Sequence, residues 1–172
     1  YNRELKRANA LDFDDIIGVT VKILEENPQT RNYWMHRFSH IFVDEYQDTN
    51  TLQYKLVSLL REKAENLCVV GDDDQSIYRF RGATIENILR FEEQYPGATV
   101  VKLECNYRST QTILDAANHV IRNNAGRKDK TLWTENGKGD PILLLHAYDE
   151  NHEADFIAST IQKMREEYGW NY

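Results

Sequence analysis

Two adjacent carboxylates, Asp44 and Glu45, follow the short apolar run Ile41–Val43. The run shows no alternation of polar and apolar residues, which predicts a strand covered on both faces within a parallel sheet. Ligands of open α/β sheets bind beyond the carboxyl ends of such strands. A carboxylate there can hold Mg²⁺, and its neighbour can orient or deprotonate an attacking water. A solvated acidic turn explains the same pair, so the pair alone leaves both interpretations open.

A second polar segment, residues 71–83, follows another apolar run and has the sequence GDDDQSIYRFRGA. Gln75 carries an amide that can both donate a hydrogen bond to a phosphate or water and accept one from a water. Tyr78 and Phe80 are interleaved with arginines, including Arg81, and this pattern suits the bases and phosphates of single-stranded nucleic acid. A solvated loop with two packed aromatic rings is the alternative interpretation.

The third polar segment, residues 106–110, precedes a predicted helix. Arg108 lies close to the N-terminus of that helix, where the backbone N–H groups favour anions. Its guanidinium group can bind a phosphate through two hydrogen bonds, and Tyr107 offers a ring that can stack on a purine. An ordinary helix cap with a surface arginine fits the same residues.

The elements that must position these segments alternate in type along the chain. Apolar periodicity predicts helices that begin near Phe13, Thr51, Thr84, Thr110 and Ala154, and the helix from Thr51 is expected to span residues 51–62. Short apolar runs predict strands at residues 41–43, 67–70, 99–103 and 141–146. We expect a loop or short helix at residues 29–40 and a loop at residues 123–140. The alternation predicts an α/β fold with a parallel sheet.

The composition is ordinary for a globular protein, with 172 residues of which 41% are hydrophobic and 28% charged. No apolar run approaches the roughly 20 residues of a membrane span, so no membrane partner is expected. Cys68 and Cys105 are far apart, which argues against a disulfide framework and favours a cytoplasmic location. Cys68 is expected to be a small buried residue of the second strand.

The net charge of −7 argues by itself against a nucleic-acid-binding protein. Its distribution is uneven, because residues 76–130 carry 9 basic and 6 acidic side chains, while the residues on either side are net acidic. The middle of the chain is therefore expected to attract anions.

In this order and spacing, the polar segments resemble those of the UvrD/PcrA/Rep-type superfamily 1 DNA helicases. The matching strings are ALDFDD at residues 10–15, VDEYQDTN at 43–50, GDDDQSIYRFRGA at 71–83 and LECNYRST at 103–110. The resemblance covers essentially the whole chain and continues weakly through LWT at residues 132–134.

The resemblance implies a partial RecA-like P-loop NTPase motor domain with a parallel sheet, followed by the start of a second RecA-like domain. Residues 1–9 would end an inserted helical subdomain. Residues 10–104 would form the C-terminal part of the first motor domain, and residues 105–172 the N-terminal part of the second.

The family also implies an ATP-dependent DNA helicase that moves along single-stranded DNA in the 3′→5′ direction and unwinds duplex at single-strand/double-strand junctions. Its cofactors would be ATP and Mg²⁺, and DNA repair is one process such an enzyme serves. The oligomeric state is left open.

Roles carried over from the family fall on eight side chains. Those expected at the nucleotide are Asp44 as the Mg²⁺ ligand, Glu45 as the residue that activates water, Gln75 and Arg108 at the γ-phosphate, and Tyr107 stacked on adenine. Those expected at DNA are Tyr78, Phe80 and Arg81.

The sequence departs from the family pattern in several ways. Phe80 stands where many relatives carry Trp, and Cys105 where Gln is common. The chain contains no Gly-x-x-x-x-Gly-Lys-Ser/Thr phosphate loop and no later arginine motifs. We therefore expect a piece of a larger protein that is inactive by itself. The alternatives are the helicase part of a helicase–nuclease, or a metal-dependent phosphodiesterase built from Asp44, Glu45 and the aspartates at 72–74.

Overall fold

The computed structural model describes residues 1–61 and 66–171. Two strands and several helices alternate along the first part of the chain, and helices connected by long loops follow. The strands are β1 (Ile41–Val43) and β2 (Leu67–Val69). The helices are α1 (Asn2–Arg7), α2 (Phe13–Glu26), α3 (Pro28–Arg37), α4 (Thr51–Leu60), α5 (Glu86–Leu89), α6 (Phe91–Gln94), α7 (Gln111–Ile121) and α8 (Glu150–Tyr168).

Residues at its two ends account for the bounds of helix α2. The Asp12 carboxylate accepts a hydrogen bond from the backbone N–H of Asp15 at 2.8 Å, and the Asp15 carboxylate accepts one from the N–H of Asp12. This reciprocal capping satisfies two N–H groups that have no partner within the helix. Pro28 occupies the first position of α3, so the chain turns between the two helices.

Helix α4 has the same kind of start. Asn50 accepts a hydrogen bond from the N–H of Gln53 at 2.9 Å, and the Gln53 side chain accepts one from the N–H of Asn50 at 2.9 Å. The predicted end of this helix at residue 62 lies outside the described residues. Helix α4 packs against α2, and Lys55 forms an ion pair with Glu25 at 2.6 Å across that contact.

The two strands form a parallel pair in which Ile41 lies opposite Leu67 and Val43 opposite Val69. The backbone N–H of Val70 donates to the Val43 carbonyl at 2.8 Å, which extends the pairing to the end of both strands. Helix α4 makes the crossover between the strands. The predicted parallel sheet and the predicted order of strand, helix and strand are confirmed here.

The expectation that both faces of β1 are covered is wrong. Phe42 is 76% exposed, and Cys68, its register partner on β2, is also exposed. Successive side chains of a strand point to opposite faces, so Phe42 and Cys68 share one face, and that face is open to solvent. The prediction of a buried Cys68 is wrong for the same reason.

The strands predicted at residues 99–103 and 141–146 do not form. Their apolar side chains are largely exposed, with Leu103 77% and Leu144 90% accessible. An apolar run becomes a strand only where a neighbouring strand accepts its backbone hydrogen bonds, and these runs have none in the described chain. The helix predicted from Thr84 is also interrupted, at Arg90 between α5 and α6.

The later part of the chain is held by a few long-range backbone contacts. Cys105 and Trp133 form an isolated parallel bridge, and the N–H of Asn106 donates to the Trp133 carbonyl at 2.7 Å. The Asn118 side chain of α7 hydrogen-bonds both backbone groups of Leu132. No helix of the described residues is long and apolar enough to span a bilayer.

Candidate functional site

The turn after β1 presents both predicted carboxylates to solvent. The Asp44 carboxylate accepts a hydrogen bond from the backbone N–H of Glu45 at 2.9 Å. Glu45 has a left-handed backbone with φ of 48°, an uncommon conformation for a residue with a side chain. The next two residues anchor the turn, because Tyr46 is 0% and Gln47 1% exposed.

Gln47 joins this turn to the loop after β2. Its Nε2 donates to the Glu45 carboxylate at 2.8 Å, and its Oε1 accepts from the backbone N–H of Asp72 at 3.0 Å. The backbone N–H of Tyr46 also donates to the Val70 carbonyl at 2.9 Å. Since the amide is buried and bonded on both sides, it fixes the position of the Glu45 carboxylate relative to β2.

Gly71 leaves the space that this junction needs. A Cβ at residue 71 would lie 2.6 Å from the Gln47 Oε1, 2.9 Å from a methyl carbon of Ile88 and 3.1 Å from the Tyr46 nitrogen. Any larger residue would displace the buried amide. The glycine is therefore required by close packing at this point.

Gln75 belongs to the same hydrogen-bonded network. Its Nε2 donates to the Asp72 carboxylate at 2.8 Å, and the other oxygen of that carboxylate accepts from the N–H of Asp74 at 3.0 Å. Glu45, Gln47, Asp72 and Gln75 thus form a continuous path from the end of β1 to the end of β2. Two of the predicted nucleotide residues, Glu45 and Gln75, are thus linked through Gln47 and Asp72.

Basic residues from the later part of the chain neutralise the aspartates at 72–74. Arg127 donates two hydrogen bonds to the Asp74 carboxylate, at 2.8 and 2.6 Å. The Lys130 ammonium group contacts Asp72 and lies 3.3 Å from both Asp73 and Asp74. The hydrogen bonds from Arg127 hold the pKa of Asp74 below its usual value. Burial alone would lower the pKa of Lys130, but the surrounding carboxylates raise it.

These ion pairs bear on the two possible cation sites. The three aspartates lie close enough together to hold a metal ion, but Lys130 already supplies the positive charge between them. This pairing disfavours the phosphodiesterase alternative. In contrast, one oxygen of Asp44 and one of Glu45 have no hydrogen-bond partner among the described residues. Free carboxylate oxygens are what Mg²⁺ prefers, so this pair fits the ion.

The predicted DNA-binding residues form an exposed aromatic turn. The Tyr78 and Phe80 ring centroids are 6.0 Å apart, and the Arg81 guanidinium lies 5.2 Å from the first and 5.4 Å from the second. Phe80 is 78% exposed. Gly82, with φ of 85°, ends the turn and allows the N–H of Ala83 to bond the Tyr78 carbonyl. The structure brings all three predicted side chains together.

Tyr107 and Arg108 lie in a loop before α7, outside this hydrogen-bonded network. The Asn106 side chain accepts hydrogen bonds from the backbone N–H groups of Arg108 at 3.0 Å and Ser109 at 2.7 Å. Tyr107 is 83% exposed, and a hydrogen bond to Cys105 raises its pKa. Within the described residues, neither side chain has a hydrogen bond or ion pair with Asp44, Glu45 or Gln75. The structure does not join these two residues to the others.

Three further residues of this site, Gln47, Arg127 and Lys130, were not predicted from the sequence, and Asp72 was predicted only as a metal ligand. Gln47 carried a usable signal, because an uncharged polar residue two positions after Glu45 can bond the carboxylate directly. Arg127 and Lys130 carried none, since they are more than 50 residues from their partners in the chain.

The chain mixes helices and strands and carries polar groups beyond the ends of two parallel strands. These features place it in the broad class of ligand-binding α/β proteins. Within that class, residues 1–96 match the family model of the UvrD/REP helicase N-terminal domain, and residues 101–171 match that of the UvrD-like helicase C-terminal domain. The chain therefore belongs to the UvrD/REP helicase family, and the resemblance inferred from the sequence is confirmed.

Individual relatives agree with the family match. The chain is 55% identical over 163 residues to proteins named ATP-dependent DNA helicase PcrA from Staphylococcus epidermidis and Staphylococcus aureus. The alignment covers 95% of this chain and 22% of each relative. The chain thus spans about a fifth of the length of the curated relatives it matches.

Proposed function

We propose that this chain forms part of an ATP-dependent 3′→5′ DNA helicase that couples ATP hydrolysis to movement on single-stranded DNA. The family match and relatives named as ATP-dependent DNA helicases support the proposal. The structural observation that carries it is the hydrogen-bonded path from Glu45 through Gln47 and Asp72 to Gln75. This path ties a carboxylate suited to activating water to an amide suited to contacting a phosphate.

The proposed roles follow from the geometry of each side chain. Asp44 has a free oxygen that would hold Mg²⁺, and the ion would neutralise charge on the phosphates when bound. Glu45 would accept the proton of the attacking water, held in position by the Gln47 amide. Gln75 would contact the γ-phosphate, and the segment that directly follows it carries Tyr78, Phe80 and Arg81, so its position would be coupled to the DNA site.

Tyr107 and Arg108 are proposed to complete the site from the second motor domain. Neither side chain bonds the carboxylates in this conformation, which suits residues that approach the nucleotide only when two domains close. An arginine supplied in this way can accelerate phosphoryl transfer by about 10³–10⁵. We infer that residues 10–104 belong to one RecA-like domain and residues 105–172 to a second, with residues 1–9 ending an inserted subdomain.

The test uses the complete protein that includes this chain. Glu45→Gln preserves the shape of the side chain and its hydrogen bonding but removes the base, so we expect DNA-stimulated ATP turnover to fall by about 10²–10⁴. Binding of a fluorescent ATP analogue should be unchanged.

The matched control is Glu153→Gln on the exposed surface of α8, which should leave ATP turnover as it is. Normal turnover in the Glu45→Gln protein would rule out the proposed role. The 172-residue chain alone is expected to show no multiple-turnover hydrolysis, because it contains no phosphate loop.

A further inference from the structure

The two parts of the chain that match different family models meet through charged side chains. Extensive packing between helices and strands lies within the first part, where α2 contacts α3 and α4 and β1 pairs with β2. Between the parts, three cations from the loop after α7 contact four carboxylates of residues 1–96. The cations are Arg127, Lys128 and Lys130, and the carboxylates are Asp72, Asp73, Asp74 and Glu92.

These contacts are directional as well as charged. Arg127 binds both oxygens of Asp74, and its Nη2 also donates to the Lys130 carbonyl at 3.2 Å, which orders the basic loop. The backbone N–H of Lys128 donates to the Asp73 carboxylate at 2.8 Å, while its ammonium group contacts Glu92. A bidentate arginine–carboxylate pair fixes orientation in a way that a single charge contact does not.

The central pairs are largely withdrawn from solvent. The side chains of Arg127 and Asp74 are 13% and 11% exposed, and those of Lys130 and Asp73 are 17% and 8% exposed. Exposed ion pairs contribute little because water and salt screen them. Partly buried pairs are screened much less, and removing one partner leaves a charge that is poorly solvated.

We propose that residues 72–74 and 127–130 form an ionic clamp that holds the two parts of the chain together, and that high ionic strength opens it. A cavity of about 260 Å³ beside Asp73, Asp74 and Arg127 gives salt ions access to the pairs. Asp72 accepts hydrogen bonds from both Lys130 and Gln75, so the clamp adjoins the network beyond the strands. The inference stands apart from the proposed enzymatic function, because it concerns the position of the two parts in the chain without nucleotide or DNA.

The experiment measures the distance between the two parts directly. Cys68 lies in the first part and Cys105 in the second, so the native cysteines can each carry a nitroxide label. Double electron–electron resonance on the 172-residue chain should give a narrow distance distribution at about 0.1 M salt. At about 1 M salt, where the Debye length is about 3 Å, we expect the distribution to become at least about twofold broader.

Charge reversal provides the matched variants. Asp74→Arg should broaden the distribution at about 0.1 M salt, because it places a cation beside Arg127 and Lys130. Adding Arg127→Asp to the same chain should restore the narrow distribution. The control is Glu167→Lys, which reverses an exposed pair with Lys163 on α8 and should change nothing.

The proposal is overturned if Asp74→Arg keeps the narrow distribution, or if a folded double variant remains as broad as the single one. Circular dichroism identifies a variant that has lost its helices. In that case the salt titration of the unsubstituted chain decides, since a distribution that stays narrow up to about 1 M salt overturns the proposal that high ionic strength opens the clamp.

Discussion

Gln47 and Gly71 show how single residues set the geometry of the site. The Gln47 amide is buried and bonds Glu45 on one side and the backbone of Asp72 on the other. Gly71 lies so close to this amide that even a methyl group would overlap with it. The position of the Glu45 carboxylate thus depends on the uncharged side chain of Gln47 and on the space that Gly71 leaves for it.

Gly71→Ala should destabilise the protein by about 1–3 kcal/mol, because the Gln47 amide, a methyl of Ile88 and the backbone of Tyr46 surround the new methyl group. The free energy of unfolding in urea is the measurement. Gly18→Ala is the control, since it lies within α2 with nothing within 4 Å of its Cβ position. That change should stabilise by about 0.5–1 kcal/mol, as alanine favours a helix. Equal effects of the two substitutions would contradict the role of Gly71.

Among the structural elements, the short turn Arg79–Arg81 carries the aromatic surface. The Phe80 ring within this turn is 78% exposed, and Gly82 closes the turn, with the backbone N–H of Ala83 bonded back to the Tyr78 carbonyl. The turn also lies next to α4 in space, since Asn50 forms a backbone bridge with Ala83. The turn is thus attached to the start of α4, which follows the segment that carries the carboxylates.

Phe80→Ala should weaken the binding of single-stranded oligothymidylate to the complete protein by about 1–3 kcal/mol, the range for loss of one base-stacking ring. Fluorescence anisotropy at fixed salt measures the effect. Phe13→Ala serves as the control, because Phe13 is 91% exposed on α2 and lies outside the aromatic turn. Equal affinities of the Phe80→Ala and unsubstituted proteins would show that this ring does not stack on DNA.

Across the whole molecule, folding pairs several of the basic side chains with carboxylates of the same chain. The basic excess of residues 76–130 suggested a surface that attracts anions. Arg127, Lys128 and Lys130 contribute to that excess, but they contact carboxylates of the first part. Their charge therefore serves contact between the two parts in this conformation.

Acid should weaken this contact. The pKa of Asp74 is lowered in the folded chain, so its stabilising effect is complete above the ordinary aspartate value of about 3.9 and is lost as the pH falls through the lower folded value. Arg127 and Lys130 stay charged there, and Asp72 and Asp73 face the same ammonium group. Urea unfolding between about pH 6 and pH 3 should show stability falling below about pH 4.

Asp74→Asn is the matched variant for this measurement, because it removes the titrating group and keeps the shape. It should be less stable at neutral pH and lose less stability on acidification. The same pH dependence in both proteins would assign the acid sensitivity to other carboxylates.

Local residue patterns were sufficient to predict the elements that depend mainly on residues close together in the sequence. Apolar periodicity placed the start of α2 near Phe13 and that of α4 at Thr51, and the two apolar runs predicted the parallel pairing of β1 with β2. The polar segments after the strands were also sufficient to find the family, because side chains that perform chemistry keep a fixed order and spacing.

Long-range contacts account for what the local pattern could not supply. The apolar runs at residues 99–103 and 141–146 have strand composition but do not form strands, because a strand exists only with a hydrogen-bonded neighbour. The open face of Phe42 and the pairing of Arg127 with Asp74 likewise depend on which segments meet in space. The sequence by itself determines which runs are apolar and which residues are charged. The tertiary contacts determine which apolar runs form strands and which charges form ion pairs, because both need a partner from a distant part of the chain.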